Sequence, residues 1–93
     1  MSQTIKKISV SNMVGASGNG IVNQFEINTD DGTYFQSYQT IIVCRKNGKT
    51  YLDENCWDCS VTTSKYRNRF LRKTTKEIKE KIKTGEYILT NLN

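Results

Sequence analysis

The residues that could carry chemistry in this chain are few, and they narrow the choice quickly. The sequence contains no histidine. That removes most acid–base pairs, nucleophile triads and imidazole-based metal sites. Asp53 and Asp58 are the nearest thing to a carboxylate pair. Nothing in their spacing sets them face to face, and acidic loop residues are ordinarily solvated. Three cysteines are present, Cys44, Cys56 and Cys59. The odd count argues against a disulfide framework. Cys56-Trp57-Asp58-Cys59 has the C-x-x-C spacing of redox and zinc motifs. A redox motif opens a helix, whose dipole lowers the first thiol's pKa, but here the helical pattern begins several residues later. A zinc site would need two more ligands, and only Cys44 is left, inside an apolar run. The expected reading is two ordinary small side chains. Gly15, Gly18 and Gly20 lie in a stretch that lacks the Gly-Lys-Ser/Thr ending of a phosphate loop and leads into a strand pattern. Residues 11–20 therefore read as a flexible glycine-rich loop. No catalytic set, metal or cofactor is expected, and the chain reads as a binding protein rather than an enzyme.

What remains is charge. The formal net charge is +5, and it is unevenly spread. Residues 65–83 contain Lys65, Arg67, Arg69, Arg72, Lys73, Lys76, Lys79, Lys81 and Lys83, against Glu77 and Glu80 alone. The segments on either side each carry a slight negative excess. Such asymmetry points to a polyanionic partner: nucleic acid, an acidic protein face or a ribonucleoprotein groove. Its plainer reading is a solvated helix face that keeps the protein in solution. Lys65, Tyr66, Arg67, Asn68, Arg69 and Arg72 mix cations with an aromatic and an amide, a combination that contacts phosphates and stacks on bases. The candidate partner-binding residues are Lys65, Arg67, Asn68, Arg69, Arg72, Lys73 and Lys76. None of the arginines is needed for an apolar stripe, so removing Arg67, Arg69 and Arg72 together should leave the fold intact.

The elements that must position this segment can be read from period and punctuation. Ninety-three residues make one domain with a thin core. Residues 4–10 alternate loosely and suggest a first edge strand, guarded by Lys6 and Lys7. Residues 21–29 alternate, placing Ile21, Phe25 and Ile27 on one face of a half-buried strand. Asp31-Gly32 and Asn47-Gly48 suit two-residue hairpin turns, and two such turns in series imply an antiparallel meander. Between them, residues 37–39 are the expected place for a bend or bulge. Ile41 to Cys44 is continuously apolar and reads as the central strand. Trp57 reads as a plug over the sheet end. A helix is expected from about Thr63 to Arg72, with Ser60, Thr62 and Thr63 as candidate caps. Thr74 to Glu77 fits a capping box, Ile78 and Ile82 form a narrow stripe, and Gly85 suits the helix stop. Residues 86–90 read as a closing strand. Strands grouped together before helices predict an α+β fold: an antiparallel meander of about five to six strands, two short C-terminal helices and a closing strand.

One block of residues carries a resemblance. Ser37-Tyr38 leads into the apolar strand; Trp57-Asp58-Cys59-Ser60-Val61-Thr62-Thr63 precedes a basic helix ending in Phe70-Leu71; Gly85-Glu86-Tyr87 closes the chain. Over residues 33–93 this resembles a family of small bacteriophage proteins of unknown function with a Trp-Asp-x-Ser-x-Thr-Thr motif. The chain departs from that pattern at Cys59, where the family has an aromatic. The resemblance implies a small phage protein of the host cytoplasm. By analogy with CRISPR-Cas antagonists, it also implies an anti-CRISPR-like inhibitor that binds a host defence protein or ribonucleoprotein. From the residues themselves, two other readings stand beside it: a nucleic-acid-binding module, and an accessory protein that forms a homodimer through an exposed strand edge. No stretch approaches the ~20 apolar residues of a membrane span. The N-terminal lysines are not followed by an apolar run, so no secretory signal is expected and the default location is the cytoplasm.

Overall fold

The computed structural model describes residues 8–15 and 17–93. Its elements follow in the order β1 Ile8–Val14, β2 Gly20–Thr29, β3 Thr33–Ser37, β4 Thr40–Lys46, β5 Lys49–Asp53, α1 Val61–Leu71, α2 Thr75–Thr84 and β6 Tyr87–Thr90. The six strands form one sheet in chain order. The first five are an antiparallel meander. β6 returns after the helices and pairs parallel with β5, because a helical crossover brings the chain back to the end where β5 began. The fold is α+β with a mixed sheet.

Local sequence explains most turns. Asn47 and Gly48 both adopt positive φ, 55° and 74°, the twist-compatible geometry of a two-residue hairpin. In the preceding hairpin the two turn residues are Asp30 and Asp31, closed by Thr29 and Gly32 bonding each other's backbone. Gly32 serves packing there: a Cβ would sit 2.3 Å from the Arg45 carbonyl oxygen. Residues 37–39 form a tight turn rather than a bend. Tyr38 takes φ 56° and its amide donates to the Asn23 carbonyl at 2.7 Å.

The N-terminal part differs from expectation. Residues 4–7 of the expected first strand, with Lys6 and Lys7, lie outside the described residues. The stretch 11–20 is a hairpin rather than a flexible loop: β1 runs to Val14 and β2 begins at Gly20. The Gly15 amide bonds the Asn19 carbonyl at 2.9 Å across the turn. The glycines cluster in the turn, and the Ser and Asn residues before them are tolerated because β1 is an exposed edge. The expected shared face of Ile21, Phe25 and Ile27 is also broken. Asn23 takes φ 64°, a bulge geometry that resets the alternation. Ile21 packs against the core, whereas Phe25 lies opposite Gln36 and Ile27 opposite Tyr34, on the other face.

Both helices lie on one face of the sheet, α1 across β2 and β3 and α2 against β6. Phe35, Val43 and Leu52 form the sheet side of the core and are fully buried. Tyr66 and Leu71 of α1, Ile78 of α2, and Tyr87 close over them. Phe70 stacks on Phe35 with ring centroids 5.9 Å apart. Each fully buried side chain of this size contributes about 1.5–3 kcal/mol, so these few contacts carry much of a small domain's stability.

Candidate functional site

The helical layer is placed by its caps. Ser60 accepts the Thr63 amide at 3.0 Å and starts α1. Arg72 ends α1 in the left-handed region at φ 55°. Thr74 then starts α2 with a complete capping box, its hydroxyl accepting from the Glu77 amide while the Glu77 carboxylate accepts from the Thr74 amide. Gly85 ends α2 at φ 84°. A three-residue corner therefore fixes the two basic helices against each other.

The side chains divide sharply between inside and outside. On α1, Lys65, Arg69 and Arg72 are exposed at spacings of four and three, one row along the solvent face. On α2, Lys76, Lys79 and Lys83 form a second exposed row. Among the described residues, Lys65, Arg72, Lys73, Lys76, Lys79 and Lys83 make no ion pair. Lys81 differs, bonding Glu86 through its Nζ at 2.5 Å. Lys65 and Arg69 both lie near the Tyr66 ring, 5.5 and 5.8 Å from its centroid. Tyr66 itself is buried, so it braces these cations and offers no open stacking surface. Arg69 also donates to the Val14 carbonyl, tying α1 to the first hairpin.

Two residues expected in the site belong to the interior. Arg67 is fully buried. Its guanidinium donates to the Trp57 carbonyl, to Asp58 Oδ1 at 3.0 Å, to Asn68 Oδ1 and to Thr75 Oγ1, and it lies 5.2 Å from the Trp57 ring centroid. Asn68 is half-buried and bonds Thr75 as well. Arg67 thus ties the Trp57 loop to both helices. It cannot touch a partner, and its removal would not spare the fold. The physical reason is that a guanidinium saturated by acceptors and stacked on an indole can be interior without an uncompensated charge.

The candidate carboxylates are also structural. Burial pushes Asp53 up, but donations from the Leu92 amide, the Asn93 side chain and the Cys56 and Asn55 amides outweigh it and hold its carboxyl below the ordinary value. Asp58 behaves alike: burial raises it, and Arg67 and Ser64, with Lys79 nearby, bring it below the ordinary value. Neither is poised as an acid or base near neutrality. Cys59 Sγ donates to the Cys56 carbonyl at 3.1 Å. The hydrogen bond with Cys59, then burial, push the Cys56 thiol up, away from a reactive thiolate. Cys44 sits in β4 beside Tyr34 and Tyr51, on the opposite sheet face from the core that Cys56 packs against. Among the described residues no group of three or more histidine, cysteine or carboxylate side chains could hold a metal ion, and no helix is long and apolar enough to cross a membrane.

One residue was missed. A cleft of about 490 Å³ opens where the C-terminus of α1 overhangs the sheet, and it is lined by Arg45 with Arg72 and Lys73, together with Glu26, Asn28 and Thr33. Arg45 pairs with Thr33 and Thr50, on the helix-bearing face. Strict alternation from the buried Val43 would have pointed it there. It extends the basic layer from the helices onto the sheet.

A family model described as a family of unknown function (DUF8033) matches residues 8–86. No curated protein matches the chain, and no solved structure does.

Proposed function

We propose that this chain, which belongs to the DUF8033 family of unknown function, works by binding a polyanionic surface with its helical layer and catalyses nothing. The observation that carries this reading is the separation of roles among its cations. Arg67 and Lys81 are consumed by internal partners. Lys65, Arg72, Lys73, Lys76, Lys79 and Lys83 remain unpaired on one rigid layer, with Arg45 at its border. Asp58 and Glu77 lie near Lys79 and Lys73, but cations without a bonded acid on a fixed scaffold keep an excess attraction for phosphate or carboxylate.

The partner we favour is the nucleic-acid-bearing surface of a host defence ribonucleoprotein, in keeping with the resemblance to small phage proteins. The chain would then act as a stoichiometric, anti-CRISPR-like inhibitor in the host cytoplasm. The test is a defence ribonucleoprotein of the CRISPR type assayed for target cleavage as the chain is added. Inhibition should saturate near one chain per effector and weaken at least ~10-fold when Lys76, Lys79 and Lys83 are replaced by alanine, the loss expected when several phosphate contacts go. Undiminished cleavage at excess chain, with tight binding to free oligonucleotide retained, would instead identify a general nucleic-acid-binding module.

A further inference from the structure

One part of the basic layer is a recess rather than a surface. The cleft of about 490 Å³ under the C-terminus of α1 falls within the range of about 300–1,000 Å³ usual for small-ligand sites. The helix-bearing face of the sheet, the end of α1 and the corner that leads to α2 build it together. Its lining combines three kinds of chemistry.

The first is positive charge. Arg45, Arg72 and Lys73 line the cleft, and among the described residues none of the three forms an ion pair. Glu77 stands near Lys73, but its carboxylate accepts from the Thr74 amide at 2.9 Å. Arg45 also borders the turn that carries Asp30 and Asp31. Within the cleft the balance is three cations to one carboxylate. Two guanidinium forks and an ammonium suit a phosphate group.

The second is an aromatic ring. Phe70 is half-buried and lines the cleft. Its stacking on Phe35, with centroids 5.9 Å apart, holds the ring in place. A ring already fixed offers a planar ligand a stacking partner at little entropic cost. The third is a hydrogen-bonding edge. Glu26 and Asn28 stand on β2, two strands from Arg45 on β4, which is about 10 Å at ordinary strand spacing. An ionised Glu26 can only accept. Asn28 Oδ1 accepts from the Thr33 hydroxyl at 3.2 Å, which leaves the Asn28 amide nitrogen to donate. A bare phosphate would be repelled by Glu26, so the ligand must also bring a donor of its own.

We propose that this cleft binds one nucleotide, its phosphate among Arg45, Arg72 and Lys73, its base against Phe70, and an amino group of that base donating to Glu26. Cytosine, adenine and guanine carry such a group, and uracil and thymine do not; a carboxylate reads the cytosine amino group in the same way in a duplex groove. A base stacked inside a duplex cannot enter, so the source is a free nucleotide or an unstacked nucleotide of a single strand. The proposal deepens the reading of the helical layer as a polyanion surface, and rests on it for the strand that delivers the nucleotide. The α1 row of cations ends, and the α2 row begins, beside the corner that holds Arg72 and Lys73.

The test is an amide chemical-shift titration of the full chain at about 50 mM salt. The probes are cytidine monophosphate, uridine monophosphate, cytidine and inorganic phosphate, each to about 10 mM. Cytidine monophosphate should give saturable shifts at residues 26–28, 45 and 70–73. The other three should each bind at least ~10-fold more weakly, the loss expected when a charge-assisted hydrogen bond goes. Arg45→Ala, at an exposed position, should weaken cytidine monophosphate by a similar factor. Glu26→Gln should erase its advantage over uridine monophosphate. Replacing Lys76, Lys79 and Lys83 by alanine should leave the mononucleotide affinity unchanged while weakening an oligocytidine. An oligocytidine unaffected by that variant would end the layer reading and leave the cleft standing. No saturable shift, equal affinity for phosphate alone, or a base preference that survives Glu26→Gln would overturn the proposal.

Discussion

Arg67 shows how far a single residue's surroundings decide its meaning. It bonds four groups at once, on the Trp57 loop, its own helix and the first turn of α2. Removing it leaves Asp58 with a side chain that is 38% exposed, but the Trp57 carbonyl, Asn68 and Thr75 lose their donor, which costs about 1–3 kcal/mol. Arg67→Ala should therefore lower stability by about that amount in urea denaturation. Arg67→Lys should recover little, because an ammonium cannot reproduce the planar fork of donors. Gln24 is the opposite case. It is 1% exposed, and neither its amide nitrogen nor its oxygen has a hydrogen-bond partner. Replacing such a group by an apolar one of similar size is neutral or stabilising. Gln24→Met should raise stability by up to about 1–2 kcal/mol in the same experiment; a loss would mean that the amide is satisfied in solution. In sequence, nothing separates Arg67 from the exposed Arg69 and Arg72. All three lie in one basic run, and burial of a cation depends on acceptors that the Trp57 loop and α2 bring from elsewhere.

At the scale of elements, legibility followed how local the cause was. Asn47-Gly48 fixed a hairpin because both residues tolerate positive φ, and Thr74 with Glu77 fixed the start of α2 because the capping box lies within four residues. The Asn23 bulge and the Tyr38 turn escaped because they form together, the Tyr38 amide donating to the Asn23 carbonyl fifteen positions earlier. The same locality limits the site: the helical cations were visible as a run, whereas Arg45 joins them only once the meander and α1 are packed. The αα-corner offers a test of how stability and binding separate. Arg72 ends α1 at φ 55°, a conformation that favours glycine. Arg72→Gly should raise stability by about 0.5–1 kcal/mol while weakening attachment to polyanions, since it relieves the backbone and removes an unpaired cation. Equal or lower stability would show that the arginine stem contributes packing beyond its charge.

For the molecule as a whole, a basic helical layer and a six-stranded sheet meet at one core. Its anchors also set a pH range. Asp53 and Asp58 both titrate below the ordinary aspartate value of about 3.9. Groups with depressed folded values stabilise fully above the unfolded value and lose that contribution as pH falls through the folded one. Stability should thus be flat above about pH 5 and decline below about pH 4, and Asp53→Asn should flatten part of that decline.

Whether the helical layer binds polyanions through its unpaired cations can be read by fluorescence anisotropy. A labelled mixed-sequence oligonucleotide would be titrated with the chain, and with the Lys76→Ala, Lys79→Ala, Lys83→Ala variant, between about 50 and about 200 mM salt. Binding at low salt is expected to fall steeply as salt rises, with the variant's log–log slope shallower by about three, close to one per lost phosphate contact. No binding at 50 mM salt, or identical slopes for the two chains, would contradict it.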